Sequence, residues 1–174
     1  MDTVIAALVV MSLLLFGGLG LAYQYLNTQE TLLFAWQAME RRFEEHAHTD
    51  LAALGAETQS GGTVVEVTMR NEGEVKLADF SQWDVIVQYQ ASGGSVVNWL
   101  PYEEGLPAGN EWSVSGIYVD AETLTAEAYD PDLLNHDEEL VLTLRLQPAV
   151  QSGSVNRVVV VTPAGIGATS VFTR

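Results

Sequence analysis

Few residues in this chain could carry chemistry. Histidine occurs only at His46, His48 and His136, and cysteine does not occur. On a helix, residues two apart point about 200° away from each other. His46 and His48 therefore cannot share a metal there, and they read as exposed polar residues. The richest donor cluster is residues 130–139, DPDLLNHDEE. Asp130, Asp132, Asn135 and Asp137, with Glu138, offer the hard oxygens that Ca²⁺ takes. The stretch lacks the glycine that an EF-hand loop needs at its sixth position, and it reads equally as an acidic solvated loop entering a strand. These are weak calcium candidates, and no metal site is expected. No serine, histidine and carboxylate set can be picked out, and no glycine-rich loop joins a strand to a helix. No carboxylate pair stands apart from the general acidity. No catalytic residue and no cofactor are expected, and the chain reads as a non-enzyme.

The elements that would position any site begin with residues 4–22, VIAALVVMSLLLFGGLGLA, which are almost wholly apolar; no charge occurs from Thr3 to Gln29. About twenty such residues span the ~30 Å core of a bilayer as a helix. Leu32, Trp36, Met39, Phe43 and Ala47 continue at spacings of three and four, with Glu40, Arg41, Glu44 and Glu45 between them. This is an apolar stripe on a polar helix. One helix is expected over residues 1–55, ending near Leu54-Gly55, then a linker over 56–62. Gly17, Gly18 and Gly20 interrupt its apolar half. They are read as a close-packing point, as ordinary membrane-helix composition or as a bend.

From residue 63 the apolar period changes from 3.6 to 2. Strands are expected over 63–70, 75–77, 83–90, 96–100, 112–119, 139–146, 155–161 and 169–173, punctuated by turn signals such as Asn71-Glu72-Gly73 and 91–95, ASGGS. No further helix is indicated. The fold class is α+β: a long N-terminal apolar helix followed by an antiparallel, immunoglobulin-like β-sandwich over 63–174.

Composition narrows the function. The chain of 174 residues carries 23 Asp+Glu against 7 Lys+Arg, a formal charge of −16. No basic patch exists to neutralise phosphates, which excludes nucleic-acid binding. The acidity suits a well-solvated surface or a saline exterior. No Asn-x-Ser/Thr sequon is present. Before the apolar run the only charged side chain is Asp2, whereas membrane leaders carry Lys or Arg there. Met1 is therefore read as the residue following a cleaved basic leader, the other reading being an ordinary anchor.

A long leading helix with a β head resembles the type IV pilin-like superfamily, and its details are similar to the archaellin (archaeal-type flagellin) family. The segments that carry the likeness are residues 67–73 (VTMRNEG), 83–89 (WDVIVQY), 130–146 (DPDLLNHDEELVLTLRL) and 159–172 (VVVTPAGIGATSVF), most specifically the Thr-Pro-x-Gly turn before a final strand. Where the family often has Asn-Pro-Gly-Glu, this chain has Asn135-His136-Asp137-Glu138. Bacterial pilins usually carry glutamate at mature position five, and here that residue is Ile5. The resemblance implies an extracellular filament subunit for motility, membrane-inserted before assembly and handled by a leader peptidase and an assembly platform. Helices would bundle in the core of a helical homopolymer and sandwiches would form its sheath. The expected core residues are Val4, Ile5, Leu8, Val9, Leu13, Leu14, Phe16 and Leu21. Leu32, Trp36, Met39 and Phe43 would dock the helix onto the head. The alternatives are a membrane-retained sandwich of such a machine, stator-like or a minor pilin, and a non-rotating adhesive pilin.

Overall fold

The computed structural model describes residues 2–174, so the expected processing point at Met1 lies outside the described residues. The chain divides into two compact units, Met1–Phe43 and Glu44–Arg174. The first lies within a single helix, α1, Asp2–His48. Its interior hydroxyls turn back on the helix: Ser12, Thr28 and Thr31 each donate to the carbonyl four residues before, at 2.9 Å. These hydroxyls are satisfied within the helix and need no outside partner. By length and composition α1 can cross a membrane.

The helix stops at His48, not near Gly55, and Leu51–Gln59 forms strand β1. The expected helix limit and the 56–62 linker are both corrected here. The physical cause is capture of the chain by a later turn. The His48 carbonyl accepts from the amides of Glu74 (2.8 Å) and Val75 (3.3 Å), and the Asp50 carbonyl from those of Glu72 and Gly73. Two chain carbonyls at the helix exit thus gain tertiary partners in place of the next helical turn. Leu51 then pairs with Asn71 and the strand runs on, with a bulge between Ala53 and Gly55. Gly55 is thus a strand residue paired with Thr68, beside the bulged Leu54, and not a helix stop. The rest of the expected linker is a short 3₁₀ turn, Ser60–Gly62.

The head holds β2 (Val64–Asn71), β3 (Asp84–Ala91), β4 (Gly94–Leu100), β5 (Glu111–Asp120), β6 (Thr125–Ala126), β7 (Glu139–Arg145), β8 (Val155–Val161) and β9 (Gly167–Thr173). They form two antiparallel sheets, ordered β1-β2-β7-β5-β6 and β4-β3-β8-β9. The class expected from sequence, a long apolar helix followed by an antiparallel sandwich, is the one found. Residues 75–77 contribute only an isolated bridge, Leu77 to Leu134.

Period-two alternation sets the core. Val65, Val67 and Met69 of β2 lie opposite Leu144, Leu142 and Leu140 of β7, and all six are fully buried. From the other sheet Val85 and Val87 pair with Val160 and Val158, also fully buried. Trp112 is fully buried and meets the Tyr102 ring edge-on at 5.0 Å. Each such aliphatic side chain contributes about 1.5–3 kcal/mol on leaving water. This is a complete hydrophobic core, and it belongs to the head alone.

Candidate assembly surfaces

The helix presents apolar side chains in every direction. All eight residues expected to line a filament core are exposed in the single chain; Leu13 is 67% and Phe16 75% accessible. The four residues expected to dock onto the head, Leu32, Trp36, Met39 and Phe43, are exposed as well. Sequence reasoning passed over Leu26, Leu33 and Phe34, which are equally exposed. They lie off the stripe, so past a polar break at Asn27–Thr31 the apolar surface resumes over Leu32–Trp36. The signal was available, since Thr31–Met39 holds no charged residue. The strict three-and-four spacing drew attention to one face only.

The helix exit is built around Asn71, which closes β2 and is fully buried. Its Nδ2 donates to the carbonyls of Val75 (2.9 Å) and Leu134 (3.0 Å), and its Oδ1 accepts from the Gly73 amide at 3.0 Å. The side chain thus forms the three hydrogen bonds that shape the turn receiving His48. Gly73 has no room for a side chain: a Cβ there would lie 2.4 Å from the Asp50 amide and 2.5 Å from the His48 carbonyl. The Asn-x-Gly of residues 71–73 is therefore a socket for the helix exit. The His48 Nδ1 also lies 3.0 Å from a Glu74 carboxylate oxygen.

The acidic loop is committed to structure. Asp130 pairs with Lys76 Nζ at 3.3 Å. Glu138 accepts from the Asn135 amide at 2.8 Å and from its Nδ2 at 3.1 Å. His136 Nδ1 contacts the Gly73 carbonyl at 2.9 Å, and its Nε2 lies 3.4 Å from Asp137. Among the described residues no group of three or more His, Asp or Glu side chains stands close enough to hold a metal. The turn also accounts for the departure from Asn-Pro-Gly-Glu. Asp137 adopts φ 64, the left-handed region glycine favours, and Asp is among the residues that tolerate it.

Charge separates the surfaces. The helix to Phe43 carries three acids and two arginines, leaving 20 acids against 5 bases, −15, in the head. Two head carboxylates are held below their ordinary values by hydrogen bonds from the backbone. Asp120 accepts from the Thr123 amide and hydroxyl and from the Glu122 amide; Glu127 accepts from the amides of Tyr129 and Asp130. Burial pushes the Tyr89 phenol up. The strands of the four-stranded sheet hold only Asp84 and Arg157 among charged residues, so that sheet is neutral.

The fold has solved counterparts. The archaeal flagellum of Methanospirillum hungatei strain JF1 aligns with a TM-score of 0.59 at 13% identity, over 97% of this chain and 90% of that one. The archaellum periplasmic stator protein FlaG from Sulfolobus acidocaldarius aligns with a TM-score of 0.52 at 18% identity, over 71% of this chain and 99% of that one. The stator complex of FlaF and FlaG from the same organism gives 0.51 at 16%, over 70% of this chain and 87% of that one. The chain therefore shares its fold with archaellum components. No protein-family model matches the sequence, and no curated protein does.

Proposed function

We propose that the chain is a non-enzymatic component of an archaellum-type surface machine, and within it a subunit of the extracellular filament. The observation that carries this reading is the helix. Its apolar residues face outward all round to Ala22 and, past a polar break at Asn27–Thr31, again over Leu32–Trp36, beyond what a single bilayer span requires. Such a rod needs apolar neighbours on every side. Lipid supplies them before assembly and sister helices afterwards. Because lipid is as apolar as a neighbouring helix, little is gained on leaving the membrane. Once the polymer is in water, separating the helices exposes all of that surface at about 25 cal/mol per Å². Subunits would meet head-to-tail in an open helix. A leader peptidase and an assembly platform would act on the chain before export. Likeness to the Methanospirillum flagellum supports this reading because the alignment extends over nearly the whole chain, helix included.

One observation favours a second reading, a membrane-retained, stator-like component. An alignment over 71% of this chain takes in 99% of the FlaG stator chain. Quantifying the chain in membrane and shed fractions separates the two. A filament subunit is present in large excess, mostly in sheared surface polymer. A few copies per cell, all membrane-bound, would overturn the filament reading.

A further inference from the structure

The head carries −15, yet its four-stranded sheet is neutral. Two copies of so acidic a head repel at close range except where acids are absent. The neutral sheet also shows apolar side chains to solvent. Val97 and Trp99 of β4 are 64% and 59% exposed, and Trp99 lies directly opposite the exposed Ile86 of β3.

β4 is also the free edge of that sheet. The opposite edge strand, β9, lies beside β1, whose Thr58 hydroxyl donates to the Thr173 carbonyl at 3.0 Å. Exposed edges are normally guarded by charges, prolines, bulges or shortness. β1 carries Glu57 and a bulge, and β6 is two residues long. β4, GSVVNWL, has no charge and no proline, and its register with β3 is unbroken. Its free backbone groups follow from the hairpin. Ser92-Gly93 is a two-residue turn, so Ala91 and Gly94 form the hydrogen-bonded pair that closes it. Antiparallel alternation then turns the N–H and C=O of Ser95, Val97 and Trp99 toward the open edge.

We infer that β4 pairs antiparallel with β4 of a second copy of this chain, about a two-fold axis at Val97, joining two neutral sheets into one. Val97 then faces Val97 of the other copy and Ser95 faces Trp99, with about six backbone hydrogen bonds along the seam. The two Trp99 rings cover the two valines on the outer face. Trp99 Nε1 already donates to Asp84 at 2.8 Å, which holds the ring before pairing. A two-fold contact closes on itself and cannot propagate a polar polymer. The pairing therefore goes beyond the filament reading: it belongs to subunits still in the membrane and opens on incorporation.

The test uses the full chain in its own membrane. The chain has no cysteine, so Val97→Cys introduces a unique thiol. A hydrogen-bonded antiparallel pair sets Cα atoms about 5.5 Å apart, within disulfide range. Mild oxidation should give a species of twice the chain mass in the membrane fraction, and none for Val119→Cys on the five-stranded sheet. Val97→Glu, at an exposed position, should lower the dimer fraction of detergent-solubilised chain at least about tenfold at equal concentration, by placing two carboxylates across the seam. A reduced monomer only, equal cross-linking at Val119→Cys, or an adduct to a different polypeptide would each overturn the pairing. A Val97→Cys disulfide in membranes without any shed polymer leaves the pairing standing and removes the filament reading. Shed polymer with no disulfide in the membrane pool does the reverse.

Discussion

The helix and the head handle apolar residues in opposite ways. In the head, Val65, Val67, Leu140, Leu142 and Leu144 are fully buried, and two sheets supply every neighbour they need. In the helix, Leu8, Leu13, Leu14 and Phe16 are all more than 60% exposed. The head is a finished fold; the helix leaves its apolar side chains exposed. On the filament reading stability resides in one region and assembly in the other, and substitutions should sort accordingly.

The largest effect is expected at Leu13→Asp. A carboxylate at mid-span costs about 2.5–3.5 kcal/mol in a membrane helix, and the cost recurs at every subunit of a polymer. Surface filaments should disappear while the head of the full-length variant keeps the unfolding transition of the parent. Normal filaments from the variant would break the comparison. Next is Leu142→Ala, which opens a cavity between the sheets and should lower head stability by about 2–5 kcal/mol in urea unfolding. A smaller value would mean the core relaxes around the gap.

Asn71→Ala probes the boundary between the two regions. It leaves the carbonyls of Val75 and Leu134 without their side-chain donor and should destabilise the head by about 1–3 kcal/mol. Gly73→Ala should be no milder, because its Cβ meets backbone at the helix exit. Both should also loosen the exit, read as faster amide exchange at Glu74 and Val75.

Acid sharpens the picture further. Asp120 and Glu127 have folded-state values below their ordinary ones, so their contribution is present above the ordinary carboxylate range and is lost as pH falls through the folded values. The melting temperature of the head should therefore fall on acidification below about pH 4. Asp120→Asn should lower it at neutral pH, and the difference from the parent should vanish in acid. The smallest effect is expected at Asp137→Gly. Removing a side chain from φ 64 should raise stability by up to about 1 kcal/mol.

Much of this was legible in the sequence. The period-two runs at residues 63–70, 83–90 and 139–146 gave β2, β3 and β7 nearly to the residue, because each buries one face only. β1 was not legible. Its sequence, LAALGAETQ, has no β-branched residue before Thr58 and continues the helical spacing, so only pairing with β2 makes it a strand. The Asn71 socket was visible as a motif but not as a mechanism, since its partners His48 and Leu134 lie far away in the chain. The neutral sheet was invisible for the same reason. Its four strands come from two distant stretches, and only the topology brings residues 84–100 and 155–173 into one surface.

The central claim is that the helix ends up dry among copies of itself, and the absence of cysteine allows a direct measurement. Leu13→Cys in sheared surface polymer, treated with a membrane-impermeant maleimide, should remain unlabelled, while Val119→Cys on the head in the same preparation labels fully. Equal labelling at both positions, or no shed polymer containing this chain, would contradict the account.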